Sequence, residues 1–484
     1  MTRPQRHRER VLVAGAGGAV GAAVCRGLAE DYDVIALPGP GFQKPATKLG
    51  PGITWRACEA FSRRDVDAAL AGCDYVVYLV HTRVATARLD QAACEDMDLL
   101  VADNVARAAR RRGVRQIIYL GGVLRRGAVD ARHHQRRSEV AEALAFYGTP
   151  VTTLRAGLIV APGGSTVRLL AGAATRSRLV LVPKWAMTRR QPIAVTDVVR
   201  GIRFCLGNAA TLAGEFDVGG PVVVDYGELL RRAAQVLDKK PVVAVVPWFP
   251  ARLYAWYLRV LSPGSHHALA RLVVEDLRQD TVVRDNPVQA HVADGAVPPG
   301  DLIRAEIRRV GGRLPENPRT PQLAERAAVL RSGRRVRSIQ RVTLPPGRDA
   351  TWVSGHYFSW LSGFAAPFVQ CHVDAQGSCD VLSRLPRLSL LRLAFQPDDS
   401  SPDRRMYHVS GGLLARRETA GRPRLEFRDV LNGRSTIVAI HDFQPRLPWL
   451  LYRATQAVIH LFVMRAFQRH MSRFAARAAP PPTE

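Results

Sequence analysis

The chain has 484 residues, 47% of them hydrophobic, and a formal net charge of +27. That length predicts two or three domains, and that apolar fraction excludes wholesale disorder. The excess charge is almost all arginine, with lysine confined to Lys44, Lys48, Lys184, Lys239 and Lys240. The arginines are scattered, and no aromatic-basic interleaving points to nucleic acid, so nucleic-acid binding is not expected. Seven cysteines lie far apart without a Cys-x-x-Cys pair, which argues against a disulfide framework or a zinc site. Met1 to Arg10 is polar and runs straight into a strand. It reads as no secretory signal, and a cytoplasmic location is expected.

The first element is the run Val11-Leu12-Val13-Ala14, and it stops at Gly15. The loop Gly15, Ala16, Gly17, Gly18, Ala19, Val20, Gly21 follows, with a helical pattern at Val20, Ala23, Val24 and Leu28. Strand, glycine turn and helix start are the parts that seat a pyrophosphate on a helix N-terminus. Gly15 suits a tight turn, Gly18 a close backbone approach to phosphate, and Gly21 close packing of helix on strand. A second strand, Val34 to Leu37, runs into Pro38-Gly39-Pro40. An acid there favours NAD and an arginine NADP; neither is present, so NAD and NADP stay equally open.

Ile53 to Ala57, Tyr75 to Val80, Gln116 to Leu120 and Val151 to Leu154 read as further strands. Helices are expected over Arg64 to Ala71, Gln91 to Arg112 and about His134 to Phe146. This alternation predicts a Rossmann-like, doubly wound parallel sheet with ligands at the carboxyl ends of its strands. From Gly157 the pattern is irregular. A helix is expected over Thr166 to Ala174, strands over Leu179 to Val182, Glu215 to Val218 and Val242 to Val246, and helices from an N-cap at Thr196 and over Tyr226 to Leu237. Two more helical stretches through about Leu277 complete a substrate-side lobe.

The predicted domains are 1–285, a polar, turn-rich linker 286–335, and 336–478. In the last, Ile339 to Leu344, His356 to Leu361, Phe368 to Val373, Leu388 to Phe395, Arg405 to Ser410, Arg424 to Val430 and Ser435 to His441 read as strands or apolar segments. A long helix runs from Trp449 to about Phe474. The fold class is therefore α/β with a C-terminal α+β domain, an antiparallel sheet plus a terminal helix. His356, His372, His408 and His441 are dispersed and read as structural, and no metal site is expected. In the terminal helix Arg453 and Arg465 frame eleven uncharged positions, too few to cross a bilayer. With the basic tail Arg465, Arg469, Arg473 and Arg477, the helix fits either packing on its own sheet, the preferred reading, or peripheral contact with a membrane such as the inner membrane.

The N-terminal two thirds resembles the extended and atypical short-chain dehydrogenase/reductases, the NAD(P)-binding group with epimerase/dehydratase-like and NmrA-like members. Ala14 to Gly21 resembles their Thr-Gly-x-x-Gly-x-x-Gly loop, and Arg155 to Val160 the stretch after their sixth strand. Pro183-Lys184-Trp185, Thr188 to Ile193 and Asp197-Val198 are similar to a bacterial subgroup carrying a C-terminal domain of unknown function. Leu425 to Arg428 and Phe443 to Trp449 continue that similarity.

The resemblance implies NAD or NADP as cofactor, with Glu59, Val80 and His81 on its adenosine side. It also implies a Tyr-x-x-x-Lys pair, in which lysine lowers the tyrosine pKa, and a serine after the fifth strand. This chain departs from both. Gly121-Gly122 stands at the serine position, and the helix reads His133-His134-Gln135-Arg136-Arg137-Ser138-Glu139. His133 falls at the tyrosine position as a candidate acid/base. Arg137 falls at the lysine position as a contact for cofactor oxygens; a solvated basic face is the alternative for both. Three functions follow: an oxidoreductase or related isomerase/lyase on a small-molecule substrate, a non-catalytic NAD(P)-binding regulatory module that responds to a ligand, or hydrophobic-ligand binding by the C-terminal domain. The oligomeric state is not legible.

Overall fold

Strand β1 (Arg10–Ala14) is buried from Val11 to Ala14, as a strand flanked on both sides and covered on both faces must be. In this computed structural model the described residues are 8–39, 50–81, 89–123, 131–162, 164, 177, 179–236, 240, 242–261, 274, 277–298, 300–301, 304, 335–416 and 423–478; for 89–90, 131–137 and 236 the backbone alone is described. The chain divides into two compact units, residues 1–84 with 104–320, and residues 85–103 with 321–484.

The first unit is built on α1 (Ala19–Leu28), β2 (Asp33–Leu37), β3 (Ile53–Trp55), α2 (Arg63–Ala69) and β4 (Tyr75–Tyr78). Strand β5 (Leu89–Ala92) belongs to the other unit, and the division falls inside α3 (Cys94–Arg112). Next come β6 (Gln116–Gly122), α4 (Ala131–Ala145) and β7 (Val151–Ala156). Short strands follow: β8 (Ile159–Val160) pairs with β11 (Ile193–Ala194), β9 (Leu179–Pro183) with β14 (Val242–Val246), and β10 (Arg189–Arg190) with β13 (Val224–Asp225). Strand β12 (Glu215–Val218) completes a seven-stranded sheet in the order β12-β7-β6-β4-β1-β2-β3. Every pairing in it is parallel. The order reverses between β1 and β4, the switch point of a doubly wound sheet.

One sheet face carries Val11, Val13, Val34, Ala36, Val77, Ile118, Leu120 and Leu154. It packs against α1, α5 (Val195–Cys205) and α8 (Pro287–Ala293). A separate core gathers Val180, Val182, Leu229, Leu230, Tyr254 and Leu258 around α6 (Tyr226–Val236) and α7 (Ala251–Leu261). Each fully buried Val or Leu of these cores contributes about 1.5–3 kcal/mol before the entropy of ordering it.

The second unit is a sheet in the order β16-β17-β18-β19-β20-β21-β15-β5. Its strands are β15 (Val336–Thr343), β16 (Val369–Val373), β17 (Cys379–Ser383), β18 (Ser389–Phe395), β19 (Arg404–Gly411), β20 (Arg424–Val430) and β21 (Ser435–Phe443). Neighbours from β16 to β15 run antiparallel. Its core joins Leu393, Tyr407, Phe427 and Val438 to α9 (Ala350–Phe364), α10 (Trp449–Ala454) and α11 (Gln456–Ala478).

Four expectations change. The segment at Gln91 opens as a strand rather than a helix, and β5 joins β15 in parallel, so the second sheet is mixed. His356 to Leu361 lies inside helix α9, which Asp349 caps by accepting from the Trp352 N–H at 2.9 Å. A local cap and an apolar face outweigh the β preference of its aromatic run. Helix α5 starts at Val195 with Ala194 at its cap, so Thr196 is inside it. The terminal helix is two helices broken at Thr455. The helix expected over Thr166 to Ala174 lies outside the described residues.

Candidate functional site

The loop after β1 is held from three sides. The N–H groups of Gly15 and Ala16 both donate to the Leu37 carbonyl at the end of β2, at 3.2 and 2.9 Å. The Leu79 N–H donates to the Ala14 carbonyl at 2.9 Å. Gly15 turns the chain at φ +96°, and a Cβ there would lie 2.9 Å from the Leu79 carbonyl oxygen. A Cβ at Gly21 would lie 2.3 Å from the Gly15 carbonyl oxygen, so the helix closes onto the loop through bare backbone. Glycine at both places is a steric requirement.

Gly18 is different. It has ordinary extended backbone, φ −86° and ψ 170°, and a Cβ there would meet nothing within 4 Å. It is the N-cap of α1, yet no side chain caps the helix and no acid lies in the first turn. The N-terminal N–H groups of a helix have no intrahelical acceptor and carry the positive end of its dipole. Helix α2 has what α1 lacks, because Ser62 Oγ accepts from the Asp65 N–H and Asp65 sits in its first turn. The N-terminus of α1 thus offers donors and partial positive charge to open space at the switch point, an arrangement suited to an anion.

Around it, Val80 is buried and His81 exposed directly after β4. Glu59 is half-buried beyond β3, its carbonyl accepting from the Ser62 N–H at 2.7 Å. The next carbonyl, of Ala60, accepts from the buried Asn104 side chain at 2.9 Å. Gly121 lies within β6, in register with Arg155. A Cβ on Gly121 would stand 3.3 Å from the Tyr119 ring, so a larger residue there must displace that ring. The structure thus sets Gly15 to Gly21, Val80 and Gly121 at the carboxyl ends of neighbouring strands. His133 and Arg137 fall in the first two turns of α4, and their side chains lie outside the described residues.

Residues not selected from the sequence also shape this rim. Arg155 on β7 is in register with Asp217 on β12 and lies 3.6 Å from its carboxylate, while also pairing with Glu215. Burial pushes the Asp217 carboxyl above its usual range, and Arg155 and Arg284 pull it back in part. Gln191 donates to the Gly220 carbonyl at 2.7 Å and accepts from the Val283 N–H at 3.1 Å. Gln289 accepts from the Gly219 N–H at 2.8 Å. No short-range signal links these partners, because they lie far apart in the chain and meet only in the folded unit. Among the described residues, no group of three His, Cys, Asp or Glu side chains is arranged to hold a metal ion.

The strand order and the open glycine loop define a Rossmann-like α/β fold. Residues 11–145 match the model of the NAD dependent epimerase/dehydratase family. A curated relative, auxiliary protein GraX of Staphylococcus aureus, is 29% identical over 148 residues, 30% of this chain. That match spans 43% of GraX, less than half its length. Among solved structures, Citrobacter sp. triphenylmethane reductase is 14% identical, covering 62% of this chain and 99% of its own, with a TM-score of 0.49. The Bordetella bronchiseptica enzyme WbmH, solved with NAD+, is 15% identical, covering 63% and 99%, with a TM-score of 0.46.

Proposed function

We propose that the first unit binds NAD or NADP at Gly15 to Gly21, and that the chain is an atypical oxidoreductase or epimerase/dehydratase-like enzyme with a non-standard site. The observation that carries this reading is the uncapped N-terminus of α1, with open space at Gly18. The donors fit a pyrophosphate. The N–H groups from Gly17 to Val20 hold it, with Glu59, Val80 and His81 on the adenosine side and Gly121 toward the nicotinamide. Bound nicotinamide supplies a hydride carrier. The chain's own task is then to place a small-molecule substrate at the strand ends and to move one proton. His133 is the proposed proton carrier and Arg137 the proposed partner of cofactor oxygens. The test is titration of the full chain with NADH and NADPH by fluorescence or calorimetry, followed by a panel of carbonyl substrates. Absence of binding removes the proposal, and turnover unchanged in His133→Ala removes His133 from it.

A specific observation favours a second reading, a non-catalytic NAD(P)-binding regulatory module. Gly121-Gly122 replaces the serine that the resemblance implies, and the segment His133 to Glu139 holds neither tyrosine nor lysine. Binding without turnover across the panel supports this reading over the first.

A further inference from the structure

The second unit displays an apolar ridge that its own core does not cover. Leu385 is 92% exposed at the tip of the β17–β18 turn, and Phe368, 74% exposed, lies beside it through the Arg384 N–H to Phe368 carbonyl bond at 2.9 Å. Phe364, at the end of α9, places its ring 6.1 Å from that of Phe462 on α11. Phe462 and Ile459 are 60% and 62% exposed, and Leu450 on α10 is 78% exposed.

Helix α11 gives the ridge a polarity. Ala457, Met464, Phe467 and Met471 are buried in the core. Turning by 100° per residue, the opposite stripe reads Val458, Ile459 and Phe462, then Arg465, Arg469, Arg473 and Arg477. All seven are exposed. One face of one helix is thus apolar over its first two turns and cationic over the rest. Exposed Arg384 and Arg387 flank Leu385, and Arg453 follows Leu450. No Asp or Glu occurs from Gln444 to Ala478, from Ala350 to Val373, or from Arg384 to Leu393.

We infer that this ridge docks on an anionic lipid surface. Exposed apolar clusters of this kind mark interaction sites. The charge selects the partner, because arginines without carboxylates complement lipid phosphates, whereas a second copy of the ridge brings no acid to meet them. Phe462 and Ile459 enter the headgroup and acyl boundary, about 5–10 Å deep in such helices, and the arginines of α11 stay with the phosphates. No helix among the described residues is long and apolar enough to cross a membrane. Docking is therefore interfacial.

The test is flotation of the full chain with vesicles of phosphatidylcholine, with and without phosphatidylglycerol, at low and physiological salt. Binding is expected to require phosphatidylglycerol and to weaken with salt. Phe462→Glu with Ile459→Glu is expected to reduce it more than tenfold, and Arg465→Glu with Arg469→Glu likewise, with melting temperatures unchanged because these side chains are exposed. In Phe462→Trp, tryptophan emission is expected to shift to the blue on anionic vesicles. No flotation at low salt overturns the inference, as does flotation that survives both double variants. Sedimentation showing a dimer that Phe462→Glu dissociates also overturns it, since the ridge then covers a second copy.

Discussion

Gly18→Asp separates a phosphate site from a structural turn, because the two roles predict opposite signs for stability and binding. The backbone at Gly18 is already extended, as an N-cap residue requires, and a side chain there meets nothing. Aspartate can therefore cap α1 without strain and complement its dipole, which is worth about 0.5–1 kcal/mol. For a unit of this size that raises the melting temperature by about 1–2 °C. The same carboxylate stands where a pyrophosphate must approach. One unit charge about 4 Å from another, at an effective dielectric of about 20, costs about 4 kcal/mol, or roughly a thousandfold in Kd. Thermal melts without cofactor and calorimetric titration of NADH and NADPH read both quantities. A Kd within about threefold of the parent would refute the phosphate role. A lowered melting temperature would refute the open geometry at Gly18.

Gly21→Ala is expected to act on folding instead, since its Cβ would lie 2.3 Å from a backbone oxygen. A loss of about 1–3 kcal/mol in chemical denaturation is the expected scale, and unchanged stability would mean the loop and helix are not packed as described. In the second unit, Glu426 is buried with Arg404 and Arg428, its Oε1 accepting from their Nε atoms at 2.6 and 2.7 Å, and Arg428 also bonds Asp103 at 2.8 Å. Burial alone would raise the Glu426 pKa, but the two arginines outweigh it and hold the carboxyl well below its usual range. Glu426→Gln leaves buried Arg404 without a carboxylate while Arg428 keeps Asp103, and is expected to cost about 3–5 kcal/mol in denaturant unfolding at neutral pH; a cost below about 1 kcal/mol would contradict that network. Burial lowers two histidine pKa values, His441 to about 3, helped by Arg424, and His460 to about 4. An unfolded histidine titrates near 6.5, so their neutral forms contribute stability that is full above about pH 6.5 and is lost as pH falls toward 4 and 3. Asp429, pushed up to about 6 by burial, opposes this in part. The double variant His441→Gln, His460→Gln is therefore expected to flatten the stability loss between pH 6.5 and 4.5 in denaturation series, and an unaltered slope would refute the buried-histidine account.

Much of the first unit was legible because its signals are local. A buried strand, a glycine turn and a helix start lie within one short stretch, and each depends on neighbours in the chain. The alternation after it implied the parallel sheet. The altered residues at Gly121, His133 and Arg137 were also visible in the chain, as departures from a resemblance. The helix at His356 is not legible from its own residues because a short aromatic run fits either period, and its decisive signal is the cap at Asp349.

The amino-acid sequence by itself determined the glycine loop, the switch from helical to strand periodicity, and the acid-free, arginine-rich character of the terminal helix. Only the tertiary structure decided which of these features face a core and which face open space. Gly18 and Gly21 are the same residue type three positions apart, yet one stands before a void and the other against backbone. Strand β5 finds β15 across more than two hundred residues. On β20, Arg424, Glu426 and Arg428 alternate as a solvent-facing strand would, but Glu426 and Arg428 are buried as an ionic cluster. Local preference sets which conformation each segment can adopt. Pairing and burial depend on long-range contacts whose energy no single segment contains.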